Sequence, residues 1–130
     1  MGKRLIQQRR GRGTITYRSP GHRFKGPVKL PSDKGEVVEL VNCPGHSAPL
    51  AYVQSPNKNI DLVIAPLGTK KGDQIQIGPK SEIKSGNVLH LKDIPEGTSV
   101  YNIESQPGDG GKFVRASGTF AKVVAKTASK

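Results

Sequence analysis

Cysteine occurs once, at Cys43, so no intramolecular disulfide can form and a reducing compartment is expected. Tryptophan is absent and aromatic residues make up 5% of the 130 residues, too few to line a large cofactor pocket. The longest apolar run, Leu62 to Leu67, has six residues and contains Pro66. A membrane helix needs about 20 such residues and a secretory core about 7–15, so this run serves neither purpose. Sixteen glycines and ten prolines, spread along the chain, argue against long helices. The most telling absence is acidic: the first thirty residues contain no carboxylate.

Those thirty residues carry nine cations: Lys3, Arg4, Arg9, Arg10, Arg12, Arg18, Arg23, Lys25 and Lys29. The remaining hundred hold twelve cations and all ten acids, a net charge of only +2. Positive charge gathered at one end is an electrostatic footprint for a polyanion. Residues 1–33 also contain only eight hydrophobic residues and are broken by Gly11, Gly13, Pro20, Gly21, Gly26, Pro27 and Pro31. Such a segment buries too little apolar surface to offset its ordering entropy. It reads as an extended basic arm, with a short strand at Thr14–Tyr17, that becomes ordered against a partner.

From Lys34 onward the texture is β. Glu36–Asn42, Ala48–Gln54, Asn59–Ala65 and Gln74–Ile77 form one group of candidate strands, and Val88–Leu91, Ser99–Glu104, Lys112–Ala116 and Phe120–Lys126 a second. Turn residues separate them, and no segment keeps a helical apolar period over three turns. The expected fold is mostly β, built from two small barrels, with a boundary in the polar stretch Lys80–Gly86. The units are therefore the arm at 1–33, a first barrel at 34–80 and the beginning of a second at 81–130.

Chemistry-bearing patterns are few. In the arm, Arg9, Arg10, Arg12, Arg18 and Arg23 offer planar forks for phosphate, while Arg4 and Lys25 add charge. Interleaved glycines let the backbone approach a phosphate chain, and Tyr17, His22 and Phe24 can stack on unpaired bases. The loop Gln106–Lys112 fails as a nucleotide-binding P-loop, because Gln106 stands where glycine is required and Phe113 where Ser or Thr is required. It reads instead as a hairpin whose backbone N–H groups form an anion nest, with Lys112 and Arg115 nearby. Cys43 and His46 flank a Pro-Gly turn and lack the further ligands a structural zinc site requires. The carboxylates Asp61, Asp73, Glu82, Asp93, Glu96, Glu104 and Asp109 lie scattered near turns and read as solvated charge. No nucleophile, metal cluster or paired acid suggests catalysis, and no cofactor is expected.

The segments GRGTITYRSPGHRFKG (11–26), HSAPLAYV (46–53), VIAPLGTKKGDQI (63–75) and IKSGNVLHLKDIPEGTSVYNIESQPGDGGKFVRASGTFAKVVAK (83–126) together resemble the N-terminal half of the large-subunit ribosomal protein L-two family. The archaeal and eukaryotic cytosolic type, with its QRRGRG arm, is the most similar. The resemblance implies an OB-like barrel followed by an SH3-like barrel, both bound to large-subunit rRNA in a cytoplasmic ribosome. It further implies neighbouring ribosomal proteins as partners, a possible contact with the small subunit, and a primary rRNA-binding role. That role supports subunit association, tRNA binding and the peptidyl transferase region, with no membrane and no small-molecule substrate.

Residue by residue, the family's RNA-contacting arginine falls on Arg115 and its glycine-rich loop on Gly108, Gly110 and Gly111. A second family arginine, just before a Ser-Ala pair, is replaced by His46, followed here by Ser47. A neutral imidazole lacks the permanent charge and would make that contact pH-sensitive. Family members continue well beyond this length, so a second barrel ending at Lys130 is expected to be open near Phe120–Lys126. The alternative from the residues alone is a free-standing OB-type chaperone or translation factor for single-stranded RNA.

Overall fold

The computed structural model describes residues 2–127. It is mostly sheet with little helix. The first sheet has four strands: β1 (Gly35–Val41), β2 (Leu50–Gln54), β3 (Ile60–Ile64) and β4 (Gln74–Ile75), in the order β3-β2-β1-β4. All pairings are antiparallel, with Val37 opposite Val53, Val41 opposite Leu50, Leu50 opposite Ile64 and Gly35 opposite Ile75. A register shift between Val37 and Glu39 makes Val38 a bulge, which bends β1 and curls the sheet. Gly35 is required at the β1–β2 contact, because a Cβ there would lie 2.6 Å from the Gln54 carbonyl oxygen.

Strand alternation sorts the apolar side chains onto two faces. One face gathers Val37, Ala51, Val53, Val63 and Ile75. The other gathers Leu50, Ile64, Cys43, Ala48 and Val28, with Val41, Leu62 and Tyr101 packed against them. Leu50 sits at the centre with no exposure, and burying it contributes about 1.5–3 kcal/mol. Both faces of β2 are covered, and this accounts for its nearly continuous apolar sequence.

Beyond the first sheet, regular pairing is sparse. β5 (Ser99–Val100) pairs antiparallel with β6 (Ala121–Lys122), and single bridges join Ile77 to Val88 and Ile103 to Phe113. Two expectations are corrected here. Val88 makes one bridge only, and Leu91 belongs to a 3-10 turn over Leu91–Asp93. Residues Thr14–Tyr17 form no strand; Ile15–Tyr17 is a 3-10 turn, like Arg10–Arg12 and Gly21–Arg23.

The basic segment also divides in two. Residues 2–23 are mostly exposed and none is fully buried, but residues 24–33 form a strap docked on the body, with Val28 and Pro31 buried. The Lys29 N–H donates to the Leu62 carbonyl on the outer edge of β3, and the Leu30 N–H donates to the Gly110 carbonyl. Asp61 accepts from both the N–H and the hydroxyl of Ser32. The strap thus engages an edge strand that would otherwise offer unpaired backbone groups. Order against the chain's own sheet replaces the order expected from an outside partner.

Candidate nucleic-acid interface

Arg4, Arg9, Arg10, Arg12, Arg18 and Arg23 are exposed, as are Lys3, His22, Lys25 and Lys29. The one ion pair among the described residues, Lys112 to Asp109 at 4.0 Å, involves none of them. The 3-10 turns hold the arm in short bends. Gly13, at φ +63°, closes the first turn in the left-handed region that glycine enters without steric penalty. Arg10 lies over the Tyr17 ring at 5.8 Å, and the Arg12 Nε–H donates to the Ile6 carbonyl. Tyr17 stays 46% exposed, so a π surface remains available beside the guanidinium groups.

Where the arm meets the body, Phe24 stacks on His46 with ring centroids 5.5 Å apart and planes inclined by 19°. The His46 Nδ1 lies 3.3 Å from the Cys43 sulfur, and the Lys25 N–H donates to the same sulfur at 3.4 Å. Gly45 permits the stack, since a Cβ there would lie 2.5 and 2.6 Å from Phe24 ring atoms. His46 therefore pins the root of the arm. Next to it, the Ser47 hydroxyl accepts from the Ser117 N–H at 3.0 Å, tying the first sheet to the second half of the chain.

Arg115 is half-buried, and its guanidinium donates to the Val28 carbonyl at 2.9 Å, while its Nε is buried without a partner. It clasps the strap from the opposite side. The glycine-rich loop departs from the nest reading. Glu104 accepts from the N–H groups of Gly108 and Gly110, and Asp109 accepts from those of Gly111, Ser105 and Gln106. The chain's own carboxylates fill the cradle, so those N–H groups are already satisfied. The Asp109 carboxyl is held below its ordinary value of 3.8, chiefly by the Gln106 N–H, with Gly111, Ser105 and the Lys112 charge acting in the same direction against desolvation.

Gly111 has a second constraint: at φ +97° it is buried against Asn102, and a Cβ would overlap the Asn102 side-chain oxygen. Lys112 itself projects outward, its side chain 62% exposed. The reading of the turn carboxylates as solvated charge is corrected for Asp61, Glu104 and Asp109, which are half-buried and act as described above, and for Asp93, whose Oδ2 is buried without a partner. Asp73 and Glu96 are exposed, and each also accepts one backbone N–H, from Lys70 and Lys126 respectively. Near-range spacing hinted at some of these, since Asp109 sits three and four residues from its donors. The Asp61–Ser32 bond spans 29 residues and left no local signal.

The fold therefore brings together the strap at 24–30, the turn at 43–47 and the loop at 104–117, and leaves residues 2–23 projecting from that junction. Among the described residues, no group of three or more His, Cys, Asp or Glu side chains could hold a metal ion. None of the described helices is long and apolar enough to cross a membrane.

The sequence model of a family described as "Ribosomal Proteins L2, C-terminal domain" matches residues 84–130. Along its whole length the chain is similar to ribosomal proteins of archaea. It is 49% identical to "Large ribosomal subunit protein uL2" of Methanothermobacter thermautotrophicus and 50% identical to that of Methanosphaera stadtmanae, each over 139 aligned positions. The protein of the same name from Methanococcus vannielii is 52% identical. The alignments take in 100% of this chain and 58–59% of those relatives, so the chain spans under two-thirds of their length. Over its whole length the chain is thus similar to ribosomal proteins named uL2.

Proposed function

We propose that this chain is an rRNA-binding structural constituent of the large ribosomal subunit, acting as a scaffold without chemistry of its own. The observation that carries the reading is the arm: nine cations in thirty residues, no acid among them, and none paired with a carboxylate among the described residues. Seven of them lie in residues 2–23 and are free to meet phosphates. The relatives are named for the large ribosomal subunit, which supports large-subunit rRNA as the polyanion and a cytoplasmic ribosome, with other ribosomal proteins, as the setting.

In this reading Arg4, Arg9, Arg10, Arg12, Arg18, Arg23 and Lys25 hold phosphates, while Tyr17 and His22 meet bases. Lys112 adds an outlying contact from the loop presented by Gly110 and Gly111. His46, Ser47 and Arg115 keep the arm's root aimed, and touch RNA at their exposed edges. The unit limits follow the same logic: an arm to residue 33, an OB-like unit to 80, and part of an SH3-like unit from 81. Support of subunit association and of tRNA binding near the peptidyl transferase region belongs to the same proposal.

The test is a salt titration of binding between the full chain and large-subunit rRNA. Each phosphate contact contributes roughly 0.7–0.9 to the slope of log K against log salt. Replacing Arg9, Arg10, Arg12 and Arg18 with glutamine should flatten the slope by about 3. An unchanged slope and affinity would remove the arm from the interface.

A further inference from the structure

Under the strap lies a cleft of about 300 Å³, bounded by Lys25, Lys29, Tyr52, Ile60, Asp61 and Leu62. Tyr52 and Leu62 are direct cross-strand partners on β2 and β3, so their side chains stand together on one face, with Ile60 two residues along. That floor is not sealed: Tyr52 and Leu62 are half-buried, and Ile60 is 59% exposed. An aromatic ring flanked by two aliphatic side chains therefore faces an opening only large enough for a small group.

The rim carries two cations, Lys25 and Lys29, against one carboxylate, Asp61, a net positive charge. Lys25 and Lys29 are exposed and have no carboxylate partner among the described residues. The nearby Asp61 carboxylate is engaged by the Ser32 N–H and hydroxyl, at 3.1 and 3.0 Å. Four residues of extended chain span at most ~13 Å, so the two lysines can straddle the cleft and need not converge on one anion. Lys25 lies two residues after Arg23, so a polyanion lying along the arm is led to this opening.

We infer that the cleft receives one unpaired RNA base, stacked on the Tyr52 ring, with the phosphates on either side of it held by Lys25 and Lys29. This rests on the rRNA-binding reading of the arm. A flat π face suits any base, and an apolar floor favours a base over a free phosphate.

Ultraviolet cross-linking of the full chain to large-subunit rRNA, followed by peptide mapping, tests the assignment. A nucleotide should be found on Tyr52. Tyr52→Leu should abolish that adduct and weaken binding roughly 5- to 100-fold, the loss of one base–aromatic stack, with the salt slope unchanged. Tyr52→Phe should recover most of the affinity. Replacing both lysines with glutamine should flatten the slope by about 1.4–1.8. Tight rRNA binding with an arm-dependent slope but no adduct at Tyr52 would overturn the cleft and leave the arm reading standing. Absence of rRNA binding would overturn both. Micromolar binding of free uridine monophosphate at Tyr52 would make the cleft a small-nucleotide site and also overturn the inference.

Discussion

Arg115→Met isolates the clasp between the strap and the second half of the chain. The wild-type guanidinium donates to the Val28 carbonyl at 2.9 Å, a hydrogen bond from a charged donor worth about 1.5–3 kcal/mol. Against this stands the buried Nε without a partner, whose burial costs about 1 kcal/mol. Methionine retains an unbranched stem and removes both, so the net loss should be about 0.5–2 kcal/mol. For a chain of this size that corresponds to a fall in melting temperature of roughly 2–10 °C. Hydrogen exchange supplies the local test. The Lys29 and Leu30 amides, bonded to the Leu62 and Gly110 carbonyls, should lose protection by about 2- to 30-fold. Amides of β2 should lose less, because that strand is paired on both sides. Unaltered protection at Lys29 and Leu30 would show that the strap is held without Arg115.

Two further outcomes follow from other contacts. Gly45→Ala places a methyl group against the Phe24 ring and should displace it from His46, at a cost of about 1–3 kcal/mol; a melting curve and Phe24 ring chemical shifts identical to the parent would contradict this. Acidification should loosen the loop around Asp109. Its folded carboxyl binds a proton less readily than the unfolded chain does, so its contribution is complete above the ordinary value of 3.8 and fades as pH falls through the depressed one. Exchange at the Gln106 and Gly111 amides should rise below that pH in the parent, and Asp109→Asn should lack the acid step.

The first sheet was legible in the sequence because its strands carry their own signals. Val37, Ala51, Val53 and Val63 are β-favouring or small residues on one face, and Pro-Gly and Pro-Asn turns mark the intervals. The second half was less legible because its strands are two residues long, too short for any period to register. There, side-chain clasps inside loops set the course of the chain, as where Glu104 and Asp109 collect five backbone N–H groups. The strap was hidden for another reason. Only Val28 and Pro31 are buried in it, and its docking relies on backbone groups and on a carboxylate distant in sequence. The arm's charge was plain, but where the arm ends was not, because Phe24 finds its partner only once the Cys43–His46 turn has formed.

That root determines how the arm and the body can act together. Residues 2–23 carry seven cations and bury no apolar side chain fully, so alone they would bind a polyanion as a loose tether. The strap fixes their point of departure through three separated contacts: Phe24 on His46, the Lys25 N–H on Cys43, and Val28 against Arg115. In the proposed reading, RNA held by arm residues would meet Lys112 on the adjoining loop as an intramolecular partner, at an effective concentration set by a short connection. Loosening the root would therefore weaken contacts made by residues that are themselves intact. The near-neutral body, net +2 over its hundred residues, adds little attraction of its own. Its contribution is to hold the departure point still, and the energy spent on Gly45, Cys43 and Arg115 serves that end.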